Sequence, residues 1–290
     1  MSIAPRKIQL QKQRSSSSVN FTTAFINKLP RSVGVEYDFD MSPEKVELFK
    51  CFSPLFNIGS DDHRELRSIP AKGDQLITTL VAVANLAKMS GVKSTYINYG
   101  YHVHVDGLDL GTAAVLRVLY AWQYAEKYIW KQVVDRTRQK TNFAIKLTPL
   151  VSSTYPAITG LKSFCTTQEI ERMINTIFTD CRFELNRHAW WVQKLGQYSI
   201  YICQLYDLGT IEFRIKEATG AQGPFEDLLV WPLFCGWFVE VLSDMDDRVL
   251  IKYLPHDYKS ERNKIKHFNN FLREFFPEFV YNWFINHGSI

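Results

Sequence analysis

"GYHVHVDG", residues 100–107, places two histidines and an aspartate on every second position. Successive side chains of a β-strand turn to opposite faces, so His102, His104 and Asp106 share one face while Tyr101, Val103 and Val105 share the other. One such strand is weak evidence, because a solvated antiparallel strand alternates in the same way without any site. The weight of the stretch depends on whether other strands repeat the pattern.

They do. In "RSVGVEYDFD", residues 31–40, Val35, Tyr37 and Phe39 alternate with Gly34, Glu36, Asp38 and Asp40. "DDHRELRSIP", 61–70, sets His63, Glu65 and Arg67 on one face before Pro70 stops the run. "GTIEFRIKEAT", 209–219, alternates Glu212, Arg214 and Lys216 with Ile211, Phe213 and Ile215. A fifth stretch, "YSIYICQLY" at 198–206, reads as a more apolar strand of β-branched and aromatic type.

The segments between are helical in pattern. Leu76, Leu80, Val83, Leu86 and Ala87 recur at helical spacing over 73–89, and Gly91 closes that run. A longer helix is expected from about 111 to 139, around Leu116, Leu119, Tyr120, Tyr124 and Trp130. Thr166 and Glu169 form a capping box ahead of Ile170, Ile174 and Ile177. The apolar run 224–245 contains Pro232 and reads as a buried helix kinked there. Residues 260–286 read as one or two amphipathic helices broken near Pro277, with an aromatic stripe that suits a core.

Strands interleaved with long helices predict an α+β class: helices cover the apolar face of a mainly antiparallel sheet and leave the other face open. A chain of 290 residues, 46% hydrophobic and 14% aromatic, has the material for a sizeable core. Residues 1 to about 20, ending in Ser15–Ser18, are polar and of low complexity and read as a disordered tail. No compositional break divides 21–290, which is expected to be one catalytic domain with a helical C-terminal part from about 240.

Composition narrows the partners. The net charge of +4 is small for this length, and Arg6, Lys7, Lys12 and Arg14 carry much of the excess, so no broad nucleic-acid footprint is expected. The five cysteines are scattered without a C-x-x-C pair, which fits reduced core thiols better than a disulfide framework or a zinc knuckle. No apolar run reaches the roughly 18–20 residues that span a bilayer, and no signal core follows the basic N-terminus. A cytoplasmic protein without a membrane partner is the expectation.

If the loaded faces align, the sheet presents Glu36, Asp38, Glu65, His102, His104, Glu212 and Arg214 together. Carboxylates and imidazole without a cysteine cluster suit a divalent cation held largely by oxygen, Mg²⁺ or Mn²⁺. Interleaved arginines suit phosphate oxygens, and the pair suggests a metal-bound nucleoside triphosphate. The chain has neither G-x-x-x-x-G-K-[ST] nor G-x-G-x-x-G, so phosphate binding would fall to side chains and metal.

The set "GVEYDF", "RELRSIP", "GYHVHVD" and "GTIEFRIKEAT", in that order over roughly residues 33–235, resembles the amidoligase family. That family belongs to the carboxylate–amine ligases related to glutamine synthetase and γ-glutamylcysteine ligase. The resemblance implies a curved antiparallel sheet of the glutamine-synthetase-like kind, whose open face binds ATP and divalent metals without an ATP-grasp fold. It implies Glu36, Glu65, His102 and Glu212 as metal ligands, with His104 and Arg214 directed to the nucleotide phosphates. An arginine usually lies between the histidine strand and the Glu-Phe-Arg strand; Arg187 in "LNRHAW", beside Asn186, fits that place, and Arg182 competes with it. "DDHRE" departs from the Asp-Gly-Ser that the family often carries ahead of the second glutamate.

The implied chemistry is attack of a substrate carboxylate on the γ-phosphate to give an acyl phosphate and ADP. An amine then displaces phosphate to form an amide, in a peptide or isopeptide-like bond. The amine must lose a proton, and Asp38 or Asp106 is the nearest reading of a base. Two other functions compete: a non-catalytic binding or scaffold protein that keeps the ligase fold, and a His-x-His barrel hydrolase. The hydrolase requires further histidine and aspartate ligands after later strands, and His188, His256, His267 and His287 lack that spacing.

Overall fold

A computed structural model describes residues 29–38, 56–58, 65–90, 100–134, 199–202, 204–216, 218, 225–257 and 259–287. The element order is β1 (Val33–Asp38), β2 (Phe56–Ile58), β3 (Glu65–Ser68), α1 (Gly73–Ser90), β4 (Tyr101–Asp106), α2 (Thr112–Val133) and β5 (Ile200–Tyr201). It continues with α3 (Gln204–Asp207), β6 (Thr210–Phe213), α4 (Phe225–Ser243), α5 (Asp247–Tyr253), α6 (Glu261–Phe275) and α7 (Glu278–His287). The strands form one sheet in the order β2-β3-β1-β4-β6-β5, with every pairing antiparallel. The class is α+β.

Alternation decides which face each strand buries. Val33, Val35, Tyr37, Tyr101, Val103, Val105, Ile211 and Phe213 are all buried and belong to one continuous core. Trp122 of α2 meets Phe213 edge-on with ring centres 5.1 Å apart and Phe238 of α4 at 5.6 Å, a geometry that sets the positive ring edge against the negative face. Tyr101 reaches through the same layer, its hydroxyl donating to the Leu228 carbonyl at 2.8 Å. Where α4 crosses β1 there is no room for a side chain on Gly236: a Cβ would stand 2.7 Å from Leu29 Cδ2 and 3.1 Å from Val33 Cγ2. Phe268, Phe271, Val280 and Phe284 bring α6 and α7 into the same core.

Several expected elements are present with nearly the expected bounds, including α1, α4 and the helix pair divided at Pro277. Others differ. Among the described residues of 198–206, strand covers only Ile200–Tyr201; α3 follows, and Gly209 (φ 69°) reverses the chain into β6. Helix α2 stops at Val133 rather than near 139, because Val134 is extended and Lys216 Nζ takes the Val133 carbonyl at 2.7 Å. Lys216 therefore does not share the polar face with Glu212. The ladder of β6 ends at Phe213, and Lys216 is buried on the helical side, 3.1 Å from Asp227 Oδ2. The tail, His63, the capping box at Thr166, Arg182, Asn186 and Arg187 lie outside the described residues.

Candidate metal centre

Register brings the loaded faces together. Glu36 of β1 stands opposite His102 of β4, and Glu212 of β6 stands opposite His104 of β4. The four side chains thus occupy two neighbouring rungs of three adjacent strands, where facing Cβ atoms are ~4.5–5.5 Å apart. On the far side of β1, Arg67 pairs with Glu36 and Glu65 with Asp38.

The two histidines point different nitrogens at the same two carboxylates. His102 Nδ1 lies 3.6 Å from Glu36 Oε2 and 3.4 Å from Glu212 Oε1. His104 instead offers Nε2, 3.4 Å from Glu36 Oε1 and 3.9 Å from Glu212 Oε1. Positions two apart on a strand are separated by ~6.6 Å, so convergence on one point is easier when one ring uses its near nitrogen and the other its far one.

These separations exceed hydrogen-bond length. They are close to the ~3.0–3.4 Å that separates neighbouring ligands held ~2.1 Å from one cation. His102 Nδ1, His104 Nε2 and Glu212 Oε2 are all buried without a hydrogen-bond partner. Buried polar atoms left in this state are costly unless something satisfies them. Glu36, His102 and Glu212 offer ligand atoms within 4.8 Å of one another, and His104 Nε2 adjoins both carboxylates. The donor set therefore fits a divalent cation.

Charge around the centre is arranged in pairs. Burial alone would raise the Glu36 carboxyl, but the imidazoles of His102 and His104 outweigh it and hold the group well below the usual carboxylate range. Glu65 moves the other way: burial and the neighbouring Glu36 push it up to about 7 against the pull of Arg67. Arg67 spans the two carboxylates, 2.8 Å from Glu65 Oε2 and 3.4 Å from Glu36 Oε1. Arg214, just past the end of β6, is paired with Glu212, and its Nε is buried without a hydrogen-bond partner. Asp38 accepts a hydrogen bond from the Gly100 amide at 2.8 Å, and Asp106 accepts from the Leu108 amide at 3.2 Å.

One expectation changes. The polar face is not open at its middle: His102 and His104 are buried and Glu212 is wholly inaccessible. Thr210 and Gly100 were not singled out from sequence, yet Thr210 Oγ1 lies 3.0 Å from His104 Nδ1 and Gly100 lies against the His102 ring. Extending the period-two pattern by one residue from Glu212 and from His102 reaches both. Among the described residues no helix is long and apolar enough to cross a membrane. The chain matches no family model and no curated protein.

Proposed function

We propose that the chain is an ATP-dependent carboxylate–amine ligase that forms an amide bond through an acyl phosphate and releases ADP and phosphate. The observation that carries this reading is the cluster of Glu36, His102 and Glu212, whose ligand atoms lie within 4.8 Å of one another, with His104 Nε2 facing both carboxylates. The ordered resemblance of the four motifs supplies the reaction class. When bound, Mg²⁺ or Mn²⁺ would neutralise charge on the triphosphate and act as a Lewis acid.

The chain's own residues carry the rest. Glu36 and Glu212 offer carboxylate oxygens and His102 an imidazole nitrogen, with His104 Nε2 facing both carboxylates. Arg214 and Arg67 border the carboxylates, where a guanidinium suits bidentate contact with phosphate oxygens once the carboxylates are engaged elsewhere. Glu65, the remaining metal-ligand candidate, sits beside Glu36 and is engaged by Arg67 at 2.8 Å. The substrates in this reading are a small-molecule or peptide carboxylate and an amine.

The test is incubation with ATP, Mn²⁺ or Mg²⁺ and pooled amino acids and peptides, with ADP and AMP separated. ADP and phosphate appearing only when both an acid and an amine are present support the ligase. A specific observation favours a second reading, a non-catalytic binding protein that keeps the fold: both arginines are turned onto carboxylates of their own sheet. Absence of nucleotide binding would favour it. Metal-dependent cleavage without ATP would favour a hydrolase.

A further inference from the structure

Each imidazole of the centre touches a residue that offers it no ligand atom. His104 Nδ1 is 3.0 Å from Thr210 Oγ1, which leaves Nε2 as the nitrogen facing Glu36 and Glu212. The opposite edge of His102 fills the space that a side chain on residue 100 would need: a Cβ there would stand 2.2 Å from Nε2 and 2.7 Å from Cδ2. The backbone cannot readily back away, because Asp38 Oδ2 holds the Gly100 amide at 2.8 Å and β1 fixes Asp38. Gly100 is not among the positive-φ glycines, Gly73 and Gly209, so its backbone conformation is open to alanine. The need for glycine there is the ring itself.

A histidine presents one nitrogen to a cation, and the hydrogen bond at the other nitrogen determines which one and at what angle. With Nδ1–H donated to the Thr210 hydroxyl, the lone pair of His104 is on Nε2, aimed into the centre. With no side chain at 100, the His102 ring swings back far enough for Nδ1 to face Glu36 and Glu212. We propose that Thr210 and Gly100 are positioning residues of the metal centre: Thr210 selects the liganding nitrogen of His104, and Gly100 makes room for the liganding orientation of His102. The proposal rests on the metal-centre reading above.

The experiment compares the unsubstituted chain with Thr210→Val, Thr210→Ser and Gly100→Ala, each titrated with Mn²⁺ and with Co²⁺, whose visible bands report ligand geometry. Thr210→Val keeps the shape and removes the hydrogen bond; it is expected to weaken ion binding by ~10–100-fold and to shift the Co²⁺ bands, as loss of an outer hydrogen bond to a metal-bound histidine does. Thr210→Ser restores both, which a merely structural role in β6 would not predict. Gly100→Ala is expected to weaken binding comparably and to shift the Co²⁺ bands; unchanged affinity and bands in it overturn the role of Gly100. Equal affinity and an equal Co²⁺ spectrum in Thr210→Val, or a serine variant no better than the valine one, overturns the proposal alone. An unsubstituted chain that takes up neither ion overturns the metal centre and the proposal with it.

Discussion

Lys216→Met removes a buried ammonium while keeping most of the side chain's volume. Lys216 Nζ donates to the Val133 carbonyl at 2.7 Å and lies 3.1 Å from Asp227 Oδ2; the two side chains are each 2% exposed. Asp227 also accepts from Trp283 Nε1 at 3.2 Å and lies 3.1 Å from His287 Nδ1. The cluster thus joins the end of α2, the residues after β6, the first turn of α4 and the last turn of α7. Removing one member of a buried pair costs ~3–5 kcal/mol, and His287 and Trp283 leave the carboxylate partly satisfied, so about 4 kcal/mol is expected at neutral pH. At an m-value of ~3 kcal/mol/M this lowers the urea midpoint by ~1.3 M.

The same variant has a pH signature. Burial alone would raise the Asp227 carboxyl, but His287 and Lys216 hold it below its ordinary value. A carboxyl depressed on folding contributes stability that is present above its unfolded value of ~3.9 and is lost as pH falls through the folded one. The midpoint difference between the unsubstituted chain and Lys216→Met should therefore be full at pH 7 and shrink below about pH 4. Lys216→Met/Asp227→Asn should lose less than the sum of the single variants, because each single change strips a buried charge of its partner while the double change removes both charges. A Lys216→Met midpoint unchanged at pH 7, or a difference that persists undiminished in acid, would refute the reasoning.

Glu212→Gln should abolish Mn²⁺ uptake and ATP turnover while leaving the fold intact, since it removes a buried carboxylate with an unpartnered oxygen; titration and thermal melting read the two effects separately. Glu65, raised to about 7, binds its proton more tightly in the folded chain. Its contribution is fully present below its unfolded value of ~4.3 and is lost as pH rises to about 7, so Glu65→Gln should flatten the fall in metal-free stability between pH 5 and pH 8 in urea titrations. Gly209→Ala places a side chain at φ 69°, with its Cβ 2.4 Å from Leu108 Cδ2. Leu108 is 81% exposed and gives way, so the remaining backbone strain of ~1–2 kcal/mol should appear as a lower urea midpoint.

The sequence by itself determined the faces. Period two in Val33–Asp38 and Tyr101–Asp106 is a local property of extended backbone, so Glu36, His102 and His104 were legible as one kind of surface and Val35, Tyr101 and Val103 as the other. The helices at Gly73–Ser90 and Phe225–Ser243 and the break at Pro277 were legible for the same reason, a spacing that needs no partner to be recognised. Where the pattern stops being local it misleads. Lys216 continues the alternation of Glu212 and Arg214, yet the ladder ends at Phe213 and the ammonium turns to Asp227, a contact made by a helix that the strand's own residues do not foretell.

Only the tertiary structure decided the rungs. That Glu36 faces His102 and Glu212 faces His104 depends on the registers of two separate strand pairings, and a one-residue slip in either would send the carboxylate to the core side. The choice of Nδ1 on His102 and Nε2 on His104 was likewise hidden, because it depends on how the His102 ring packs back over Gly100 and on a Thr210 hydroxyl brought in from the neighbouring strand. Spacing along a chain encodes which residues share a surface; which atoms meet on it follows from how distant segments pack.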